Sequence, residues 1–338
     1  MVYDVRKPDS ARILLRSSVV SRHLLRNGGE FYNMHMISFL RDNGLRARAA
    51  IALALLGVLA GGIVPAFAAE RYERGLLWRI EGKSVPASHV FGTIHLADPR
   101  VTTLPPAVAT ELNRARSLTL EVRLDPGAIP MLASRMIYGD GRDLQAVAGP
   151  ELVAKAAAIA AGLGLPDPLL RMFKPWAVAL LLSAPQQDPS GVLDIALARI
   201  AAEQGKPVHE LESLEEQIEV FEGMSESDQV ALLRYAVDNY ERMPALIGRL
   251  VEAYLARDLA GLWRISEQSG GDGAEAKRLR AVFARRLLED RNTRMAERSE
   301  ARLKEGGAFI AVGALHLYGD AGILSLLERR GWRVTRVY

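Results

Sequence analysis

The 338-residue sequence predicts an α/β fold of the mixed kind: a central mixed β-sheet flanked by helices, with a large helical insertion at about 126–305. Three observations carry this. Strand-like runs at 88–94 and 308–313 lie near opposite ends of the chain, and both close in Gly-x-x-His, Gly92 to His95 and Gly313 to His316. Further short β-rich runs accompany each of them. Between them the pattern turns Ala/Leu-rich and helical, with one helix-then-strand return to the sheet at 192–211.

In chain order, residues 1–69 read as an N-terminal extension plus a signal peptide, and 70–338 as a single domain. Arg41, Arg46 and Arg48 precede an uncharged apolar run, 49–64, and then Pro65-Ala-Phe-Ala-Ala69. A positive start, an apolar middle and an Ala-x-Ala site (Ala66, Ala68) make a secretory signal at about 34–68. Met34 or Met36 would give it an ordinary start, which leaves 1–33 as an extension. The apolar run is shorter than the roughly 20 residues that span a bilayer. The expectation is therefore cleavage, a periplasmic or secreted product, and membrane contact only during export.

The first 69 residues hold nine Lys/Arg and four Asp/Glu, which leaves 34 basic and 36 acidic residues beyond them. The basic pI near 9.1 thus belongs to the segment to be removed, and the domain has no nucleic-acid footprint. There is no cysteine. Disulfides, thiolate metal sites and a cysteine nucleophile are excluded, so any metal must be held by His, Asp or Glu.

Within the domain, two β-rich runs around Gly82-Lys83-Ser84 predict a hairpin over 76–91. A proline-led helix follows at 105–116. The strand 117–122 puts Leu118, Leu120 and Val122 on one face and Thr119 and Glu121 on the other, so Glu121 points off the apolar face. Helical segments fill 126–182, broken at Gly139-Asp-Gly141, Gly162 to Gly164 and the Pro166/Pro168 pair. Lys174-Pro175-Trp176 opens an apolar helix. Residues 192–203 are a helix and 207–211 a short strand. Helices at 212–221 and 226–267 follow, the latter with a break near Pro244, and then a Gly-rich loop at 268–274. A charged helix spans 275–304. Its apolar stripe, Phe283 and Leu287 beside Ala284 and Leu288, runs into Arg291 and Asn292 where the period asks for core residues. That face either is a solvated tail or passes over a polar pocket. Strand 308–313, helix 321–330 and strand 332–338 end the chain.

Two histidines at strand ends with an off-face glutamate suit a catalytic metal ion, since neutral imidazole and carboxylate both bind divalent cations. A lone Gly-x-x-His has low specificity; its recurrence on two strand-like segments favours one site. His89 and His209 read as structural. The helical His-Glu-x-x-His, the Gly-x-Ser-x-Gly elbow and the Walker loop are all absent from the sequence, and Thr93 has no context that would make it a nucleophile.

Several short motifs together resemble the TraB/GumN family, to which the Tiki metalloproteases also belong. They are Phe91-Gly-Thr-Ile-His95-Leu, Leu118-Thr-Leu-Glu121-Val, Lys174-Pro175-Trp176, and Gly191-Val-Leu-Asp194 with Gly205-Lys206-Pro207-Val and Leu211-Glu212. Arg291-Asn292-x-x-Met295 and Val312-Gly-Ala-Leu-His316-Leu-x-Gly319-x-x-Gly322 complete the set. The resemblance implies a metal-dependent, peptidase-like hydrolase acting on a peptide or protein substrate. It makes His95 and His316 metal ligands and Glu121 a ligand or general base. Arg291 and Asn292 become pocket residues that polarise the scissile carbonyl or its oxyanion. The cofactor it implies is a divalent ion, manganese, cobalt or zinc. The alternatives are a non-catalytic metal- or haem-binding periplasmic accessory protein, or a polysaccharide-export accessory whose site has decayed.

Overall fold

The computed structural model describes residues 71–123, 127, 129–269 and 273–338. The extension and signal segment expected over 1–69, and the start of the insertion at 126, lie outside the described residues. Six strands form one sheet: β1 Leu77–Glu81, β2 Ser88–Thr93, β3 Ser117–Leu120, β4 Val208–Glu210, β5 Ala308–Gly313 and β6 Arg333–Arg336. Their order is β4-β3-β5-β2-β1-β6. β4, β3, β5 and β2 run parallel, and β1 is antiparallel to both β2 and β6, so the sheet is mixed. The predicted hairpin is the β1–β2 pair. β2 is buried at every position and β5 at all but its last, as interior parallel strands covered on both faces must be. Phe91 and Phe309 pack side by side at 5.9 Å between ring centres.

The helices that matter to the site are α1 Pro106–Arg114, α2 Pro175–Ser183, α3 Leu193–Glu203, α4 Leu214–Glu222, α5 Glu226–Asn239, α6 Met243–Leu255, α7 Leu259–Ser269, α8 Ala274–Phe283, α9 Asp290–Glu305 and α10 Ile323–Arg329. Prolines open α1 and α2, where a missing N–H costs nothing. Ser213 and Glu216 form a reciprocal capping box that starts α4 directly after β4. Every residue of α2 is buried, and Trp176 stacks on Phe221 at 6.1 Å.

Two expectations shift in detail. The 226–267 helix is broken twice, at the 3-10 turn Tyr240–Arg242 and again at 256–258 between α6 and α7, and Pro244 sits harmlessly in the first turn of α6. The 275–304 helix is divided by a π-helical turn, Ala284–Glu289, between α8 and α9. Among the described residues no helix is long and apolar enough to cross a membrane.

Candidate functional site

Three parallel strands deliver three side chains to one edge of the sheet. His95 follows the carboxyl end of β2, Glu121 follows β3, and His316 follows β5. The crevice beyond the carboxyl ends of parallel strands is where open α/β sheets bind ligands. β5 lies between the other two strands, so its last residue, Gly313, stands in the middle of the group. A methyl at Gly313 would lie 3.3 Å from Glu121 Oε1, 3.4 Å from His316 Cδ2 and 3.5 Å from His95 Nε2. Gly313 thus marks the point on which the three side chains converge. All three are buried, with 8%, 4% and 4% of His95, Glu121 and His316 exposed.

Hydrogen bonds to the far side of each imidazole set its tautomer. His95 Nδ1 lies 2.7 Å from Asp194 Oδ2, and the Thr93 hydroxyl donates to the other carboxylate oxygen at 2.9 Å. His316 Nδ1 lies 2.6 Å from Asn292 Oδ1. The Asn292 amide nitrogen donates to the Ala321 carbonyl at 2.9 Å, which turns its oxygen toward the imidazole. Both Nδ1 atoms therefore donate, and both Nε2 atoms are left bare. His316 Nε2 stands 3.5 Å from Glu121 Oε1.

Glu121 is held by its own set of donors. Gly313 N–H donates to Oε1 at 2.5 Å and Arg291 Nη2 to Oε2 at 2.6 Å. Arg291 is in turn fixed by Glu212, which accepts from its Nε at 2.8 Å, and Arg294 Nη2 donates to the second Glu212 oxygen at 2.6 Å. Arg291, Glu212 and Asn292 are 3%, 1% and 2% exposed, so the residues that break the apolar stripe of the helix line the site instead. Burial pushes the Glu121 carboxyl up. His316, Arg291, His95 and the Gly313 N–H outweigh it and hold the carboxyl far below the usual carboxylate range. Burial pulls His316 down to about 4, more than Glu121 can restore. Burial also opposes the charging of His95, yet Asp194 raises it above the ordinary histidine value. The two histidines are thus set apart by the group behind each.

Between the histidines is a cavity of about 30 Å³, roofed by Leu262 of α7, Leu288 of the π turn and Tyr254 of α6. That is room for a water or an ion, which need about 10–15 Å³. The Tyr254 hydroxyl donates to the Gly92 carbonyl at 2.8 Å. Among the described residues no group of three or more His, Asp or Glu side chains is arranged so that it could hold a metal ion. The donor types are nonetheless those that bind divalent ions: the rings of His95 and His316 and one Glu121 oxygen all lie within 3.5 Å of the point where a Gly313 methyl would stand. The 3.5 Å between His316 Nε2 and Glu121 Oε1 is close to the about 3.4 Å that separates tetrahedral ligands bound at about 2.1 Å.

The structure brings together all five residues singled out from the sequence, His95, Glu121, Arg291, Asn292 and His316. His89 stands apart, 3.7 Å from Glu111, and His209 lies 3.2 Å from Arg302. Thr93 serves Asp194. The sequence reading did not place Asp194, Glu212 or Tyr254 at the site. The first two lie within the quoted motifs, which was their only signal. Tyr254 had none.

The TraB/PrgY/gumN family matches residues 76–336 of this chain. The uncharacterized protein YbaP of Escherichia coli (strain K12) is 24% identical over 246 residues, 71% of this chain and 87% of that protein. Metalloprotease TIKI1 of Danio rerio is 26% identical over 310 residues, 76% of this chain and 62% of that protein. Metalloprotease TIKI1 of Homo sapiens is 25% identical over 311 residues, and the match covers 61% of it. The chain thus spans about three fifths of the length of the TIKI proteins. No solved structure matches. With 76–336 covering the whole sheet and every residue of the site, this chain belongs to the TraB/PrgY/gumN family.

Proposed function

We propose that the protein is an exported metal-dependent hydrolase, a peptidase acting on peptides or protein tails, with His95, His316 and Glu121 as ligands of a manganese, cobalt or zinc ion. One observation carries the reading. Both imidazoles are fixed through Nδ1, and His95 Nε2, the Cδ2 edge of His316 and Glu121 Oε1 surround the space beside Gly313, with His316 Nε2 3.5 Å from that Glu121 oxygen. The metalloproteases among its relatives support the reaction class. When bound, such an ion lowers the pKa of a coordinated water towards neutrality and polarises a carbonyl.

The chain's own residues divide the remaining work. Asp194 and Asn292 orient the ligand imidazoles, as partners behind metal-binding histidines do. Arg291 keeps Glu121 ionised. A general base works best with a pKa near the working pH, and Glu121 lies far below it, so Glu121 acts as a ligand. Arg291 and Asn292 spend their polar atoms on Glu121, Glu212, His316 and backbone carbonyls, and so they position ligands. Leu262 and Leu288 must yield for a peptide carbonyl to enter the cavity.

The test is metal content by mass spectrometry on the chain from Ala69 onward, purified without chelator or histidine tag. About one ion per chain is expected in the wild type and none in His95→Ala/His316→Ala. No ion in either, after incubation with manganese, cobalt and zinc in turn, removes the reading. An ion bound without hydrolysis of any peptide in a diverse panel replaces the hydrolase with a non-catalytic metal-binding protein.

A further inference from the structure

The cavity beside His95 and His316 measures about 30 Å³, and both rings are buried. Nothing much larger than a water or an ion reaches them while the roof is in place. The roof has two parts, anchored differently. Leu288 belongs to the π turn that runs directly into α9, and α9 is bolted to the site. Arg291 donates to Glu121 and Glu212, and Asn292 accepts from His316. The Leu288 side chain can turn aside, but its helix cannot lift without pulling the site apart. Tyr254 and Leu262 belong to α6 and α7. These two helices supply neither a candidate ligand nor any of the groups that hold the ligands, Asp194, Asn292, Arg291 and Glu212.

α6 and α7 form a hairpin about the turn 256–258. Across its other end Arg249 Nη2 of α6 donates to Gln268 Oε1 of α7 at 3.2 Å. The segment 71–75, just ahead of β1, crosses the turn. Gly75 N–H donates to the Arg257 carbonyl at 2.9 Å, and Ala260 N–H donates to the Glu73 carbonyl at 3.1 Å. Arg74 and Asp258 stand opposite each other in an antiparallel bridge. The start of the segment is tied down beside the site. Gly319 N–H, just past His316, donates to the Arg71 carbonyl at 3.0 Å, and the Arg71 guanidinium donates to Glu328 of α10 at 2.8 Å. The hairpin itself meets the walls of the site at the Tyr254 hydroxyl, which donates to the Gly92 carbonyl at 2.8 Å, and at Trp263, whose ring lies 5.7 Å from that of Tyr318.

We propose that the α6–α7 hairpin is a lid over the two histidines and that residues 71–75 are the strap that holds it shut. Opening breaks the strap's backbone bonds at Arg257 and Ala260 and the Tyr254 bond to Gly92, and it leaves the sheet and α9 intact. Such an opening is local and costs less than unfolding the core. That a substrate must pass beneath the lid rests on the hydrolase reading above, whereas the lid is tested without metal.

The chain has no cysteine, so an added pair has no rivals. Arg74→Cys/Asp258→Cys puts thiols on directly opposed residues. Such residues lie about 4.5–5.5 Å apart at Cα, within the about 4.4–6.8 Å that a disulfide spans. The oxidised pair fastens the strap to the hairpin, and reduction frees it. The readout is acylation of histidines by diethylpyrocarbonate, located by peptide mass spectrometry on the metal-free chain from Ala69. His316 lines the cavity and reports the lid. His89, also buried but at the amino end of β2 beside Glu111, reports opening of the whole molecule. The ratio of the His316 rate to the His89 rate should fall about tenfold or more on oxidation. Tyr254→Phe, which deletes the bond to Gly92 at nearly constant shape, should raise that ratio severalfold with the melting temperature kept. A ratio that oxidation leaves unchanged overturns the proposal. If the cysteine pair does not fold, Tyr254→Phe decides alone, and no rise overturns it. The two readings fail separately. A lid that opens on a chain without bound ion or hydrolysis sinks the hydrolase and leaves the lid. Hydrolysis as fast in the oxidised form as in the reduced one sinks the lid alone.

Discussion

Asp194 and Asn292 make the same hydrogen bond to different histidines, and only one of them carries charge. The aspartate raises His95 against the pull of burial, whereas burial, with no carboxylate behind the ring, lowers His316 to about 4. This sets the pH response of the metal-free protein. Between about 6.5 and about 4 the unfolded chain binds a proton at His316 that the native chain refuses. Stability therefore falls as pH drops through that window, by up to roughly 3 kcal/mol. His95 has the opposite sign: its contribution is full below about 6.5 and is lost as pH rises through its elevated folded value. Urea unfolding at pH 7 and pH 4.5, on chelated wild type and His316→Gln, isolates the first effect. The wild type should lose more stability than the variant, and equal losses would rule it out. Gly-x-x-His ties His95 and His316 to strand ends, whereas Glu121, expected within a strand over 117–122, follows a β3 that ends at Leu120 and is buried on both faces. Asp194 was not legible. An aspartate in the first turn of a helix is ordinary dipole chemistry, and nothing local says that it reaches across to β2.

The helical run that carries Arg291 and Asn292 is the element where sequence and structure inform each other most. Its two rows, Phe283-Leu287-Arg291-Met295 and Ala284-Leu288-Asn292-Ala296, are buried throughout. The periodicity therefore announced a buried face, and the two polar residues on it marked a site. The π turn at 284–289 left no residue signature; such turns often occur at functional sites, and this one supplies Leu288 to the roof of the cavity. Arg291 lies between the buried carboxylates of Glu121 and Glu212. Removing one partner from a buried ionic group leaves the others uncompensated, at about 3–5 kcal/mol. Arg291→Met should therefore lower unfolding free energy by about that much at pH 7. Arg291→Lys should recover only part of it, because an ammonium restores the charge and not the planar fork that spans two carboxylates. Chemical denaturation of both variants checks this. A neutral Arg291→Met would mean that the pair is not held as a buried charge cluster.

At the scale of the whole molecule, the mixed sheet and its helical insertion were readable as a class, and the strand order was not. Alternation and glycine turns mark a strand; they do not say that β5, from the far end of the chain, inserts between β3 and β2. That insertion makes the site a product of the complete fold, because its three candidate ligands come from strands that only the finished sheet brings together. The unfolded chain holds no such cluster. An ion bound there binds the native state alone, and it stabilises by about 2.7 kcal/mol when its concentration is 100 times its Kd. For a domain of this size that corresponds to a rise of about 5–10 °C in melting temperature. Thermal unfolding of the chain from Ala69 should show this difference between chelator and excess manganese or zinc. His95→Ala/His316→Ala should melt at one temperature in both conditions. If the wild type also melts at one temperature, no ion links the three strand ends; if the variant keeps the difference, the ion binds elsewhere.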